Sequence, residues 1–298
     1  MVALSRMRPR TVYAVLEETA AAHPENVALH QPAGGGKYQT WTWRQYRDAV
    51  QQIAVGLRSI GLRKGEIVAL QSETRAEFYL ADLGVMTAGG IAAALYTSLP
   101  FADQAKTLAA SGARFVIVEN SKAMKALKAA APDFSAQWIL LSGEEPGVLT
   151  LENVRAQGEQ RISEFESIVA DLAVDDHAIL YMTSGATGEP KMGLVTHAAV
   201  VANMDHAPFV LPLTPRDATI AFLPSAHIAQ RVVVQMVPIR QGTPVWFSEG
   251  LSKLPNEIRS IRPTFLLAPP RVWERVYANI SVEIKKRPAA VRKLNANV

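Results

Sequence analysis

Cysteine is absent from the 298 residues. That excludes a disulfide scaffold, a thiolate metal site and a cysteine nucleophile, and it fits a reducing compartment. The six histidines show no metal-ligand spacing, so no metal centre is expected. Charged residues make up only 19% and hydrophobic residues 49%, a balance that excludes a disordered chain and provides enough apolar material for a large core. Long apolar runs are scarce. The longest uncharged one, 83–102, is broken by Gly89-Gly90, Thr97, Ser98 and Pro100, and therefore reads as a buried helix, turn and strand rather than a membrane span. The Arg-bearing start runs into a polar amphipathic segment and lacks the apolar stretch of a secretory signal, so the expected location is cytoplasmic, with at most peripheral membrane contact. A Gly-x-Ser-x-Gly elbow is missing too: Met182 stands where Ser184 would need its first glycine, which removes a serine hydrolase. No Gly-x-Gly-x-x-Gly follows the first strand, which weakens a dinucleotide-binding reading.

The net charge of +4 is concentrated at the ends. Residues 283–298 carry five Lys/Arg against one Glu, 1–10 carry three Arg, and the residues between are net negative. A solvated terminus is the plain reading of such a tail. Nucleic acid is not an expected partner, because no aromatic-basic motif accompanies the charge.

The pattern along the chain is an alternation of strands and helices. Helices are expected over Thr11–Ala22, from the capping box Thr42-Trp43-Arg44-Gln45 onward, and over Glu77–Thr87, Phe101–Ala110 and Ala123–Ala130. Strands are expected over Val27–His30, Ile67–Leu70, Ile91–Leu95, Phe115–Val118 and Trp138–Leu141, with a turn at Gly34-Gly35-Gly36. This predicts an α/β fold of two lobes with mainly parallel sheets flanked by helices. The divisions are a first lobe over 1–145, a connecting segment over 146–176, a second lobe over 177–282 and a basic tail over 283–298. In the second lobe the expected strands are Ile179–Met182, Leu194–Thr196, Ala218–Leu223, Thr243–Phe247 and Thr264–Ala268. Its helices are Ala198–Asp205, Ile228–Val237, Leu251–Ser260 and a last one from Pro269-Pro270.

Chemistry concentrates in Leu180-Tyr181-Met182-Thr183-Ser184-Gly185-Ala186-Thr187-Gly188-Glu189-Pro190-Lys191. An apolar strand runs into a loop in which Gly185 and Gly188 free the backbone N–H groups to turn toward an anion. Thr183, Ser184 and Thr187 add hydroxyls, and Lys191 adds a positive charge. The spacing is not that of a Walker A loop, which needs four residues between its glycines and ends Gly-Lys-Ser/Thr. The alternative is an ordinary strand-to-helix connection rich in turn formers. His227 is the second candidate, since it follows a strand ending on Pro224, where α/β sheets bind ligands; the alternative there is a structural histidine.

The string Thr183 to Lys191 resembles the signature of the adenylate-forming superfamily, which includes acyl-CoA synthetases, luciferases and peptide-synthetase adenylation domains. Ala186 replaces a usual threonine, and Met192 a usual glycine. Leu223-Pro224-Ser225-Ala226-His227 resembles the superfamily's Leu-Pro-x-x-His segment, with Gln230 where the long-chain branch often has an acid. The run from Arg262 to Val276 is similar to bacterial long-chain fatty-acid CoA ligases, as are Thr40 to Trp43, Asp82 to Tyr96 and Ser111 to Arg114. The resemblance implies ATP, Mg²⁺ and coenzyme A, with a fatty acid as the acid activated. It implies Thr183, Ser184, Gly185, Thr187, Gly188 and Lys191 at the phosphates, and Lys191 and His227 as the catalytic contacts. His227 would place the carboxylate, and Ala268 and Pro269 would lie near an acyl tunnel.

The family's Tyr-Gly-x-Thr-Glu and Thr-Gly-Asp stretches, its hinge and its lysine-bearing C-terminal domain do not occur in these residues. The expectation is therefore the N-terminal part of a long-chain fatty-acid CoA ligase, weak or inactive alone, with a homo-oligomer or second polypeptide supplying the remainder. The alternative is a non-catalytic nucleotide- or acyl-binding module with a degenerate adenylation fold. A basic-tailed protein that associates with membrane or nucleic acid has the least support.

Overall fold

The computed structural model describes residues 9–184 and 190–286, and the chain divides into two compact units, Met1–Phe265 and Leu266–Val298. Of the sequence candidates, Gly185, Thr187 and Gly188 lie outside the described residues, as does the tail from 287.

The first unit opens with α1 (Val12–Ala22), whose start is capped by the Thr11 hydroxyl accepting from the Ala14 N–H. β1 (Val27–Pro32) and β2 (Tyr38–Thr42) form an antiparallel hairpin. Gly34, Gly35 and Gly36 turn it at φ of 82°, 60° and 73°, values that a side chain disfavours. The expected capping box is present at the start of α2 (Trp43–Ser59): Thr42 Oγ1 accepts from Gln45 N at 3.2 Å, and Gln45 Oε1 accepts from Thr42 N at 2.9 Å.

β3 (Ile67–Gln71), α3 (Ala76–Thr87), β4 (Ile91–Ala94), α4 (Phe101–Ser111), β5 (Phe115–Val118), α5 (Ser121–Ala130) and β6 (Gln137–Leu140) follow in alternation. A two-residue β7 (Leu149–Thr150), not anticipated from sequence, then leads into α6 (Leu151–Gln160) and α7 (Phe165–Ala170). After these come β8 (His177–Ser184), β9 (Pro190–Thr196), α8 (His197–Val210) and β10 (Thr219–Ala221). A π-helix (Gln230–Met236) runs into α9 (Val237–Gln241), followed by β11 (Val245–Phe247) and α10 (Leu254–Ile261).

Among the described residues the strands make two sheets. One has seven strands in the order β7-β6-β5-β3-β4-β8-β9, parallel except for the last pair; the other has four in the order β10-β11-β1-β2, parallel except for β1–β2. Chain order does not decide membership: β8 and β9 join strands from before residue 141, while β1 and β2 join β10 and β11. One face of the larger sheet is closed by α4 and α5, with Leu108, Met124 and Leu127 in a core with Ala69, Ala93, Val116, Leu140 and Leu180.

Helix α3 is buried almost all round, as its nearly unbroken apolar sequence requires. It contacts β3 and β4 of the larger sheet and β1 of the smaller one, and its Tyr79 meets Phe247 of β11 edge-on at 4.8 Å.

The stretch Thr264–Ala268 forms no full strand; it is reduced to a single parallel bridge between Phe265 and Thr219. The helix expected over Ile228–Val237 forms, but Gln230–Met236 winds as a π-helix. In the second unit α11 (Pro270–Lys285) is an exposed amphipathic helix, and its Trp273 indole donates to the Ala268 carbonyl at 3.0 Å. No helix among the described residues is long and apolar enough to cross a membrane.

Candidate functional site

The glycine-rich stretch lies between two strands that pair with each other rather than between a strand and a helix. β8 and β9 pair antiparallel with Ser184 opposite Pro190, Thr183 opposite Lys191, Met182 opposite Met192 and Tyr181 opposite Gly193. The pairing brings the backbones of three sequence-predicted residues, Thr183, Ser184 and Lys191, to the mouth of the five-residue connection. β8 is held on its other side by β4, through Ile179 against Ala92 and Leu180 against Ala93. Lys191 is exposed. The connection thus leaves the C-terminal end of a strand in a parallel sheet, where α/β folds bind ligands.

His227 sits in the turn between β10 and the π-helix, with an exposed imidazole. Its N–H donates to the Pro224 carbonyl at 2.9 Å, its carbonyl accepts from Arg231 N at 3.1 Å, and its Nδ1 accepts from Ala229 N at 3.1 Å. With Nδ1 used as an acceptor, the proton of the neutral ring resides on Nε2, which leaves an N–H donor at the outer end of the ring. Upstream, the turn is bracketed by Thr74, whose Oγ1 donates to the Leu223 carbonyl at 2.5 Å and lies 2.8 Å from Ser225 Oγ.

Four residues beyond His227, Arg231 is fully buried against the fully buried Asp82 of α3. Its guanidinium donates to Asp82 through Nε at 3.1 Å and again through Nη2, and it reaches the Ala92 carbonyl at 3.3–3.4 Å. Gln235 Nε2 donates to the same carboxylate at 2.9 Å. Burial pushes the Asp82 carboxyl above its ordinary range, while Arg231 and Gln235 pull it back. The Arg231 guanidinium also lies 5.7 Å from the ring centroid of Tyr181 on β8. Burial raises the Tyr181 phenol above its ordinary value, opposed by the Arg231 charge.

Sequence reading had no hold on Asp82, Arg231, Tyr181 and Thr74 as a group. The available signal was faint: one aspartate inside the otherwise apolar Phe78 to Met86, and one arginine before Val232-Val233-Val234.

A cavity of about 270 Å³ opens where the C-terminal ends of β3 and β5 meet those of β10 and β11; Glu73, Arg75, Glu119, Phe222 and Glu249 are among its walls. Arg75 is already held by Glu77 at 2.7 and 3.0 Å. Three carboxylates and one committed guanidinium make this cavity the wrong sign for a polyphosphate. Ala268 and Pro269 belong to the second unit. There Ala268 accepts from Trp273, and Pro269 stands extended at the start of α11.

A model of the AMP-binding enzyme family matches residues 16–296. The chain belongs to the AMP-binding enzyme family. Among its relatives, fatty acyl-CoA synthetase A of Dictyostelium discoideum is 26% identical over 90% of this chain and 42% of its own length. Long-chain-fatty-acid–CoA ligase ACSBG2 of Xenopus laevis is 24% identical over 98% of this chain and 41% of its own length. The chain therefore spans about two fifths of the length of these relatives. The fold is that of the Klebsiella oxytoca NpsA N-terminal subdomain, solved with 3-hydroxybenzoyl-AMSN: TM-score 0.73 at 23% identity, covering 95% of this chain and 65% of that one. The α/β architecture expected from sequence, with sheets flanked by helices, is thus the architecture of an adenylate-forming N-terminal domain.

Proposed function

We propose that this chain forms the N-terminal, phosphate-binding part of a fatty-acid CoA ligase, which activates a fatty acid with ATP to acyl-AMP and passes the acyl group to coenzyme A. The observation that carries the reading is the β8–β9 register. It closes a glycine- and threonine-rich connection at the end of a parallel-sheet strand and sets Lys191 directly across from Thr183.

In this reading a fatty-acid carboxylate oxygen attacks the α-phosphorus of ATP, and the bond from that phosphorus to the bridging oxygen breaks, so that the electron pair leaves with pyrophosphate. The chain binds and orients; no protein nucleophile takes part. Backbone N–H groups of the connection and the Lys191 ammonium hold the phosphates where charge builds up. The Nε2–H of His227 donates to the fatty-acid carboxylate. Thr183, Ser184, Gly185, Thr187 and Gly188 complete the phosphate contacts, and Ala268 and Pro269 line the acyl path. Mg²⁺ accompanying the polyphosphate as part of the nucleotide substrate would offset its charge. Among the described residues no group of three or more His, Cys, Asp or Glu side chains is placed to hold a metal unaided. The thiol of coenzyme A then displaces AMP from the acyl carbon, using further polypeptide in cis or in trans. The setting is the cytoplasm.

Fatty-acid-dependent ATP–pyrophosphate exchange by the purified chain, beside a Lys191→Ala variant, tests the reading. Weak exchange in the parent, which the rest of the ligase would raise, and its disappearance in the variant are the expected result. Absence of exchange, with ATP raising the melting temperature of the parent but not of the variant, would replace the ligase with a nucleotide-binding module.

A further inference from the structure

The π-helix that follows His227 turns Gln230, Arg231 and Gln235 into the interior, at 0%, 0% and 1% exposure. Its wide turns bring residues 230 and 231, and again 234 and 235, to the side facing α3. Gln230 Nε2 donates to Tyr79 Oη at 3.2 Å, and Tyr79 Oη donates to the Val234 carbonyl at 3.3 Å. A leucine would fill such a position at lower desolvation cost than an arginine, so the reason for Arg231 lies in direction rather than in burial.

Arg231 joins four pieces of chain. Its fork is fixed on Asp82 of α3 and on the Ala92 carbonyl of β4. Its own N–H holds the His227 carbonyl. Its guanidinium lies by the ring of Tyr181, two residues before Thr183 on β8. Tyr181 Oη is buried and has no hydrogen-bond partner among the described residues, so no hydroxyl contact anchors that ring.

We propose that Arg231 is a positioning residue that holds the His227 turn and the phosphate-loop strand β8 in one fixed arrangement. The proposal rests on the reading of Lys191 and His227 given above. Three donors aimed at two oxygen-bearing groups set the rotation of the π-helix against α3 and β4, and the guanidinium beside the Tyr181 ring carries that arrangement to β8, whose register on β4 the backbone ladder already fixes. Lysine keeps the charge but has no planar fork, so Arg231→Lys is not conservative at this position.

Two variants test this: Arg231→Lys, and the double change Arg231→Met/Asp82→Leu, which replaces both charges by apolar groups and leaves no unpaired ion. Amide hydrogen exchange is followed over residues 177–184 and 227–236, with α2 as internal reference, together with the melting temperature and the pyrophosphate-exchange kinetics. The expected result is a double variant that melts within a few degrees of the parent. Its exchange is about tenfold faster in both segments together and unchanged in α2. Its kcat falls at least about tenfold, with KM for ATP and fatty acid within about threefold.

Acceleration over 227–236 with none over 177–184 would show that Arg231 holds only its own helix, and would overturn the proposal. If the double variant does not fold, Arg231→Lys is judged by the same two segments. If the parent catalyses no exchange, the ligase reading fails, while the paired amide measurement still decides the role of Arg231.

Discussion

The Nδ1 atom of His197 accepts the backbone N–H of Val12 at 3.3 Å, tying the first residue of α8 to the first residue of α1 across 185 positions of chain. His197 is completely buried, and burial lowers its imidazole to about 4, with Asp176 pulling the other way. Its ordinary value in an unfolded chain is near 6.5. Between these values the unfolded state binds a proton that the native state does not. Stability is therefore full above pH 6.5 and falls as the pH drops toward 4, by about 3 kcal/mol from this residue. Urea titrations from pH 7 to 4 should show that slope, and His197→Asn, which keeps an acceptor but does not titrate, should reduce it. An unchanged slope in the variant would move the effect elsewhere.

Gly158 of α6 lies against α2 so closely that a β-carbon there would stand 1.8 Å from the Gln52 carbonyl oxygen; at Gly56 one would stand 2.0 Å from the Val154 carbonyl oxygen. Backbone faces backbone at this crossing, so neither side can yield by a rotamer change. Gly158→Ala should lose about 2–3 kcal/mol in denaturant unfolding despite the better helix propensity of alanine. A variant as stable as the parent would mean that the two helices separate freely.

Removing Asp82 alone strands a buried guanidinium. Asp82→Ala should cost about 3–5 kcal/mol, whereas the paired apolar replacement of Asp82 and Arg231 should recover most of it. Equal losses in the single and double variants would contradict the assignment of the penalty to the unpaired charge.

Lys191→Ala should weaken ATP binding about 10- to 100-fold, the loss of one charge-assisted contact to phosphate, and the difference should shrink as salt rises. Calorimetric titration at two ionic strengths would read both effects. Equal affinities would take Lys191 out of the phosphate site.

His227→Ala should raise the fatty-acid KM about tenfold while leaving ATP affinity unchanged, because only the carboxylate loses a donor. A parallel loss of ATP affinity would instead place the ring at the phosphates.

Local signals are legible in neighbouring residues. The Thr42–Gln45 capping box, the Gly34-Gly35-Gly36 turn, the strand–helix alternation and the hydroxyl- and glycine-rich run ending on Lys191 are each set by residues within a few positions of one another. Long-range packing set the remainder. It paired β9, which begins at Pro190, back on β8, so that Thr183 and Lys191 stand opposite each other. It also set β1 and β2 beside β10 and β11 and widened the helix after His227. Above all it brought together Asp82 and Arg231, 149 residues apart. A single charge in an apolar helix carries no information about its partner. That pairing exists only once the larger sheet and α3 have closed around it and removed the water that would otherwise solvate both ions.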